Sequence, residues 1–488
     1  MRSGSLSRSA AGAALLLLAS ACSPSDGAID VAGGAGGTGG GAADDGSVST
    51  GGSGGAAGGD AGVDAAADVS VTDAADASEA DAATDAHDAA DTSVTDASDA
   101  SDAPHDTTLD APADLAIEEA APPAWPGAIQ LSLVATGLTA PVQGIGSPGS
   151  SDLYVVERGG TIRIVRSGGL LATPFLDLSA KVYVGSDSLG LLGLAFHPSY
   201  ASTGRFFVLY NELNGTARVA EYHRSSNLDV ADAAEVRTLF TALQLYPGTP
   251  GGSMAFGYDS YLYVALGDDN VSANSAQSLT SRRGKVLRVD ADTLPDGGGV
   301  AVPPGNLPGG DPLLWDFGLR NPALSFDRET RDLYILDRAA SGLTGRDEID
   351  IEAQSALAPL AGRHNYGWPI VQGNECFTPA TNCSTTGLTP PVVEHLHDAN
   401  KCGAVAGFVY RGTAIGPLAG AYVYGDACTA QIFSVVWSGG AVQRSDELTA
   451  GLDSSAALGK LAALGQDGQG ELYAMSGDGK LYRLAPAR

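Results

Sequence analysis

Two histidines stand at i and i+2 in Glu394-His395-Leu396-His397-Asp398. On an extended strand such residues share one face. His395 and His397 could therefore hold a metal or act on a proton together; a surface loop is the plainer reading. Asp268-Asp269-Asn270 gathers oxygens that could meet a cation, although Asp and Asn also favour turns for conformational reasons. His197, in Phe196-His197-Pro198, and His364, just before Asn365-Tyr366-Gly367-Trp368, read as turn residues. Four cysteines, Cys376, Cys383, Cys402 and Cys428, crowd into the last quarter of the chain. They contain no C-x-x-C pair and no suitably spaced His, which argues against a zinc site.

Where the chain resides decides what those cysteines do. Arg2 and Arg8 precede the apolar run Ala13-Ala14-Leu15-Leu16-Leu17-Leu18, and Ala19-Ser20-Ala21-Cys22 follows. A charged region, a short apolar region and small residues make a secretory signal, and the run is too short to span a bilayer. Cys22 after small residues resembles a bacterial lipobox, in which the Cys is acylated and becomes the new N-terminus. The box usually has Leu where Ala19 stands. Ser23 suits sorting to the outer membrane by the same resemblance. Residues 1–22 are therefore expected to be a lipoprotein signal peptide. An even number of cysteines in an exported chain implies two disulfides, with three possible pairings. Cys376 and Cys383 bracket a six-residue loop, and Cys402 and Cys428 flank an expected strand pair. The pairs expected are Cys376–Cys383 and Cys402–Cys428.

Residues 23–122 carry 22 Asp and Glu but no Lys or Arg. They are Gly/Ala-rich and then Asp/Ala/Ser/Thr-rich, with too few large apolar residues to offset the entropy of ordering. This segment is expected to be a disordered linker, spanning roughly 55 Å as a flexible coil. The chain as a whole is at −30, but residues 123–488 hold 25 basic and 35 acidic side chains, ordinary for a soluble domain. No basic stripe is present for nucleic acid.

Residues 123–488 repeat one pattern six times: a short β-run with an aromatic, a turn, then a second β-run. The first runs are Leu153-Tyr154-Val155, Phe206-Phe207-Val208, Leu262-Tyr263-Val264, Leu333-Tyr334-Ile335, Tyr422-Val423-Tyr424 and Leu472-Tyr473-Ala474. Two alternating strands with a Gly-bearing connection make a hairpin. Six hairpins over 366 residues give about one per 60, the size of a four-stranded blade with loops. The expected fold is an all-β, six-bladed β-propeller preceded by the low-complexity tether. Ile129-Gln130-Leu131 should supply a strand that closes the ring with the last blade.

An ordered set of segments carries a resemblance. Gly190-Leu191-Leu192-Gly193-Leu194-Ala195-Phe196-His197-Pro198 comes first and Gly251-Gly252-Ser253-Met254 second. Gly318-Leu319-Arg320-Asn321-Pro322, Asn365-Tyr366-Gly367-Trp368-Pro369 and Tyr424-Gly425-Asp426 follow in order. Together they resemble the glucose/sorbosone dehydrogenase family, which includes soluble quinoprotein sugar dehydrogenases and Hedgehog-interacting-protein-like propellers. The resemblance implies an axial site for pyrroloquinoline quinone and calcium, where an aldose gives a hydride to the quinone. Thr249 falls where enzymatic members carry their His base, and Thr is not a base near neutral pH. Arg320 and Asn321 fall on the family's quinone-contacting pair. The same Arg320 could instead satisfy loop carbonyls at a proline-terminated turn. Ser188 lies near a usual quinone contact, Cys428 where the enzymes place a Lys, and Lys460 near a family Arg pair. The calcium carbonyls would come from the loop Leu336-Asp337-Arg338-Ala339-Ala340-Ser341-Gly342, which departs from the family pattern.

Two functions follow from these residues. One is a cell-envelope homologue of quinone-dependent sugar dehydrogenases, acting on a small sugar and touching the membrane only through its lipid anchor. The other is a non-catalytic propeller that binds a carbohydrate or protein on its axial face. Replacing Cys22 by Ser should shift the protein from the membrane fraction to the soluble fraction on cell lysis. Unchanged membrane partition would contradict the anchor.

Overall fold

The computed structural model describes residues 129–487 apart from 187, 245–247, 271–273, 296–298, 341, 354–362, 451 and 453. The signal, Cys22 and the segment 23–122 lie outside the described residues. Each of the six repeats is the middle hairpin of a four-stranded antiparallel blade. The inner strands are Pro141–Gly146, Leu191–Phe196, Gly251–Phe256, Pro322–Phe326, Ala404–Val409 and Leu461–Gln466. Each touches the next, and the last returns to the first, so they ring a common axis.

The second strands show why the repeats read as they do. Leu153–Glu157, Leu262–Leu266, Leu333–Asp337 and Leu472–Ser476 are buried at every position. A strand covered on both faces loses the polar alternation of a half-exposed one. Six apolar clusters result, one for each interface between neighbouring blades. The recurring aromatics are their centres: Tyr154 packs edge-on against Phe175 of its own blade at 4.9 Å and against Phe196 across the first interface at 4.8 Å. Tyr334 stacks on Tyr422 at 4.9 Å across the interface of blades four and five. Such pairs add about 0.5–1.5 kcal/mol beyond their burial.

The ring closes as the sequence pattern implies. Ile129–Thr136 is the outer strand of the sixth blade, antiparallel to Lys480–Pro486, with Leu131 opposite Leu484. The blade therefore joins both ends of the described chain. The first and sixth blades also touch directly, through a parallel pairing of Gly144 with Gly465. A Cβ on either glycine would lie 3.0–3.1 Å from the other strand's backbone, so a larger residue would push the two strands apart by a few tenths of an ångström.

Both disulfides have the expected partners. Cys376–Cys383 closes a loop beside the small hairpin of Val371–Gln372 with Glu375–Cys376, an insertion in blade four. Cys402–Cys428 ties the start of the fifth inner strand to the turn after Ala421–Asp426. Converting both Cys402 and Cys428 to Ala removes a cross-link across 26 residues and should lower stability by about 3 kcal/mol. The check is the denaturant midpoint of non-reduced protein; an unshifted midpoint would contradict the assignment of this bridge as a structural staple.

Candidate axial site

At the end of the axis where inner strands begin and second strands finish, a cavity of about 280 Å³ opens. Small residues from four blades line it, among them Gly251, Gly252, Ala323, Ala404, Ala406 and Ala463, together with the larger Leu192, Leu324, Leu336, Phe408 and Leu464. Arg158 and Arg338 line the rim, each from the turn that follows a second strand, with Ser188 and Asn321 also lining it. Ser188 Oγ accepts a hydrogen bond from the Gly248 amide at 2.9 Å.

Asn321 is held from two sides. Its Oδ1 accepts from the Gly251 amide at 2.9 Å, and its own amide donates to Asp337 Oδ1 at 2.6 Å. The Arg320 amide donates to the other Asp337 oxygen at 2.7 Å. Burial pushes the Asp337 carboxyl up to about 7, against these two backbone donors. The Arg320 side chain does not line the cavity. Its guanidinium donates to the carbonyls of Arg338 and Ala339 and sits 5.5 Å over the Trp368 ring. Of the two roles open to Arg320 in the sequence, the structure shows the carbonyl-satisfying one.

Thr249 also turns away from the cavity. It is 1% exposed, and its hydroxyl donates to Asp268 Oδ1. Asp268 Oδ2 accepts the Trp368 indole N–H at 2.7 Å, and the Asp268 amide donates to the Arg320 carbonyl at 2.8 Å. Thr249, Asp268, Arg320 and Trp368 thus form one buried group beneath the rim. Both Asp268 carboxylate oxygens are thereby occupied by buried donors. None of the described residues lining the cavity is a His, Asp or Glu.

His395 and His397 are close to each other but serve different partners. His395 lies on the outer strand Val393–Leu396 of blade four, and its Nε2 is 3.1 Å from Asp426 Oδ2. Asp426 also accepts from the amides of Cys402, Gly403, Cys428 and Thr429. Burial opposes its ionisation, but His395 and these amides hold its carboxyl well below the usual carboxylate range. His397 Nε2 is 3.0 Å from Asp347, whose oxygens also accept from the amides of Ala339 and Ala404. The two imidazoles therefore brace the backbone beside the cavity. They are not brought together on one ligand, and neither lines the cavity. His197 makes a turn contact to Ser199 Oγ at 2.6 Å and also meets Asp292 at 3.1 Å, whereas His364 reaches Thr389 Oγ1, 25 positions on, at 3.0 Å.

Comparison with known proteins completes the picture. The family model for glucose/sorbosone dehydrogenase matches residues 143–483. The chain belongs to that family. Hedgehog-interacting protein of Mus musculus is 28% identical over 387 residues, covering 72% of this chain and 52% of that protein. Aldose sugar dehydrogenase YliI of Escherichia coli is 28% identical over 229 residues, covering 46% and 57% respectively. The chain thus spans about half the length of the curated relatives it matches. A solved structure of aldose sugar dehydrogenase from Streptomyces coelicolor, in its PQQ-bound form, superposes with a TM-score of 0.57 at 22% identity. It covers 75% of this chain and 99% of that one, a likeness in fold.

The residues present fit one implied cofactor better than the other. A tricarboxylate would meet two lining arginines, Arg158 and Arg338. Calcium does not fit the loop from Leu336 to Gly342 as the family would use it. Two of that loop's carbonyls, those of Arg338 and Ala339, already accept the Arg320 guanidinium. Among the described residues no group of three His, Cys, Asp or Glu side chains is gathered as for a metal.

The His397–Asp347 pair makes stability depend on pH. The hydrogen bond to Asp347, against burial, raises the His397 imidazole above its ordinary value; burial opposes ionisation of Asp347, but His397 and the two amides hold it low. The histidine's contribution is full below about 6.5 and is lost as pH rises through its raised value. The aspartate's contribution is full above about 3.9 and is lost as pH falls through its depressed value. Replacing His397 by Leu should therefore cost on the order of 3 kcal/mol between pH 5 and 6, and less above pH 8. A gap between wild type and variant that stays constant from pH 5 to 9 would contradict the ion pair.

Proposed function

We propose that the axial cavity holds pyrroloquinoline quinone and admits an aldose above it, making this chain a sugar dehydrogenase homologue with an impaired proton-transfer step. The gathering of Arg158, Arg338 and Asn321 around one axial cavity carries this reading. When bound, the quinone supplies the hydride acceptor. The rim arginines would take its carboxylates as charge-assisted, forked pairs. Asn321, pinned between Gly251 and Asp337, would present its remaining amide donors at a set position. Sugar oxidation also requires removal of a hydroxyl proton, worth about 10²–10⁴-fold when a positioned base does it. Asp268 is in place to orient such a base, but residue 249 offers only a hydroxyl. In this reading the propeller works at the cell envelope, held by lipid on Cys22 and spaced by residues 23–122.

One observation favours a second reading, a non-catalytic propeller that binds a carbohydrate or a protein on the same face. The Thr249 hydroxyl is committed to Asp268, and no described carboxylate or imidazole lines the cavity. The name of one relative, Hedgehog-interacting protein, denotes a protein ligand.

Dye-linked oxidation of aldoses, with quinone and calcium supplied, separates the two. Wild-type protein should turn over slowly, and Thr249→His should raise the rate by about 10²-fold, since Asp268 can hold the new imidazole. A His variant as inactive as wild type would overturn the dehydrogenase reading in favour of the binding propeller. Rapid wild-type turnover would show that the base lies elsewhere.

A further inference from the structure

The opposite end of the axis holds a second cavity, larger at about 490 Å³, where the inner strands end. Its wall is apolar and aromatic, with Phe196, Phe256, Phe326 and Phe408 contributed by four blades, and Met254 and Leu324 deeper in. Tyr258, 46% exposed, stands at the mouth. Gln143, Leu324 and Phe408 border both cavities and form the waist between them. The Gln143 amide oxygen accepts the Leu194 N–H at 2.8 Å, and the Gln466 amide donates to the Val409 carbonyl at 2.8 Å. These polar groups serve the walls.

Among the described residues lining this cavity, Arg328 alone is charged. It follows the fourth inner strand, and its Nη2 donates to the Asp467 carbonyl at 2.7 Å. The acids nearby are committed elsewhere. Both oxygens of Asp327 bind Arg411, and Glu329 binds Arg411 as well. The Asp467 carboxylate accepts from the amides of Gln469 and Glu471 and from the Tyr473 hydroxyl. Among the described residues no carboxylate forms an ion pair with Arg328. Burial lowers the affinity of this guanidinium for its proton, with Asp467 and Tyr258 only partly offsetting it. Arg328 is half-buried beside an apolar wall, and a ligand carboxylate would pair with its guanidinium there.

We infer that this cavity is a binding site for a small aromatic monocarboxylate, its ring among the phenylalanines and its carboxylate forked on Arg328. The volume lies within the range of small-molecule sites, and charge complementarity selects the anionic head. No residue proposed for the quinone cavity, apart from the shared waist, takes part. Wild-type protein titrated with 3-phenylpropionate should show saturable 1:1 binding, at least ten-fold tighter than 3-phenylpropan-1-ol, which lacks the carboxylate. Arg328→Gln should weaken the acid at least ten-fold and leave the alcohol unchanged. Arg338→Gln, at the other end of the axis, should leave both unchanged. Equal affinity for acid and alcohol in wild-type protein would overturn the site, and this comparison stands even if the Arg328 variant does not fold. Competition by pyrroloquinoline quinone at a wild-type acid site would also overturn it, by placing the acid in the other cavity.

Discussion

A ring of six sheets leaves no blade a free inner flank, because each must pack against a neighbour on both sides. That constraint shapes the rest of the molecule. It makes the second strands apolar on both faces and gives each interface its own apolar cluster. It also demands a closure, met here by Ile129–Thr136 completing the last blade and by Gly144 facing Gly465 at the axis. Propellers leave only short, protected strand edges, so the ring is stable without further covering.

Closure also makes the two ends of the axis different. Where inner strands start, the ring presents small residues, backbone and turn-borne arginines around a cavity of about 280 Å³. Where they end, it presents phenylalanines around a larger space of about 490 Å³. The polar end is braced by buried carboxylates: Asp337 holds the Arg320–Asn321 turn, Asp347 and Asp426 hold the backbone between blades four and five. Each carboxylate stays in the interior because backbone amides or a histidine satisfy it. The site is therefore held in place by interactions that never touch a ligand.

Much of this was legible in the sequence. The aromatic β-runs report burial directly, so the six hairpins and the closing strand could be read from pattern alone. The cysteine pairing followed from loop positions. What escaped were contacts made by the ring itself. Asp268 looks like a turn residue because its partners, Thr249 and Trp368, lie 19 and 100 positions away. Arg158 and Arg338 follow second strands without any local mark, and only the assembled ring turns both toward the axis. His395 and His397 invited a shared role because strand periodicity puts them on one face. The structure gives each its own aspartate from a different strand, a long-range choice that spacing does not encode.

We propose that the polar end of the axis accepts a planar polycarboxylate through Arg158 and Arg338, with Thr249 at the position expected of the base. Titration of pyrroloquinoline quinone into the wild-type protein and an Arg158→Gln, Arg338→Gln double variant, followed by calorimetry, tests it most directly. One quinone should bind per chain in wild type, at least ten-fold more weakly in the double variant, with an affinity that falls as salt is raised. Absence of saturable binding in the wild type, or equal binding in the variant, would contradict it.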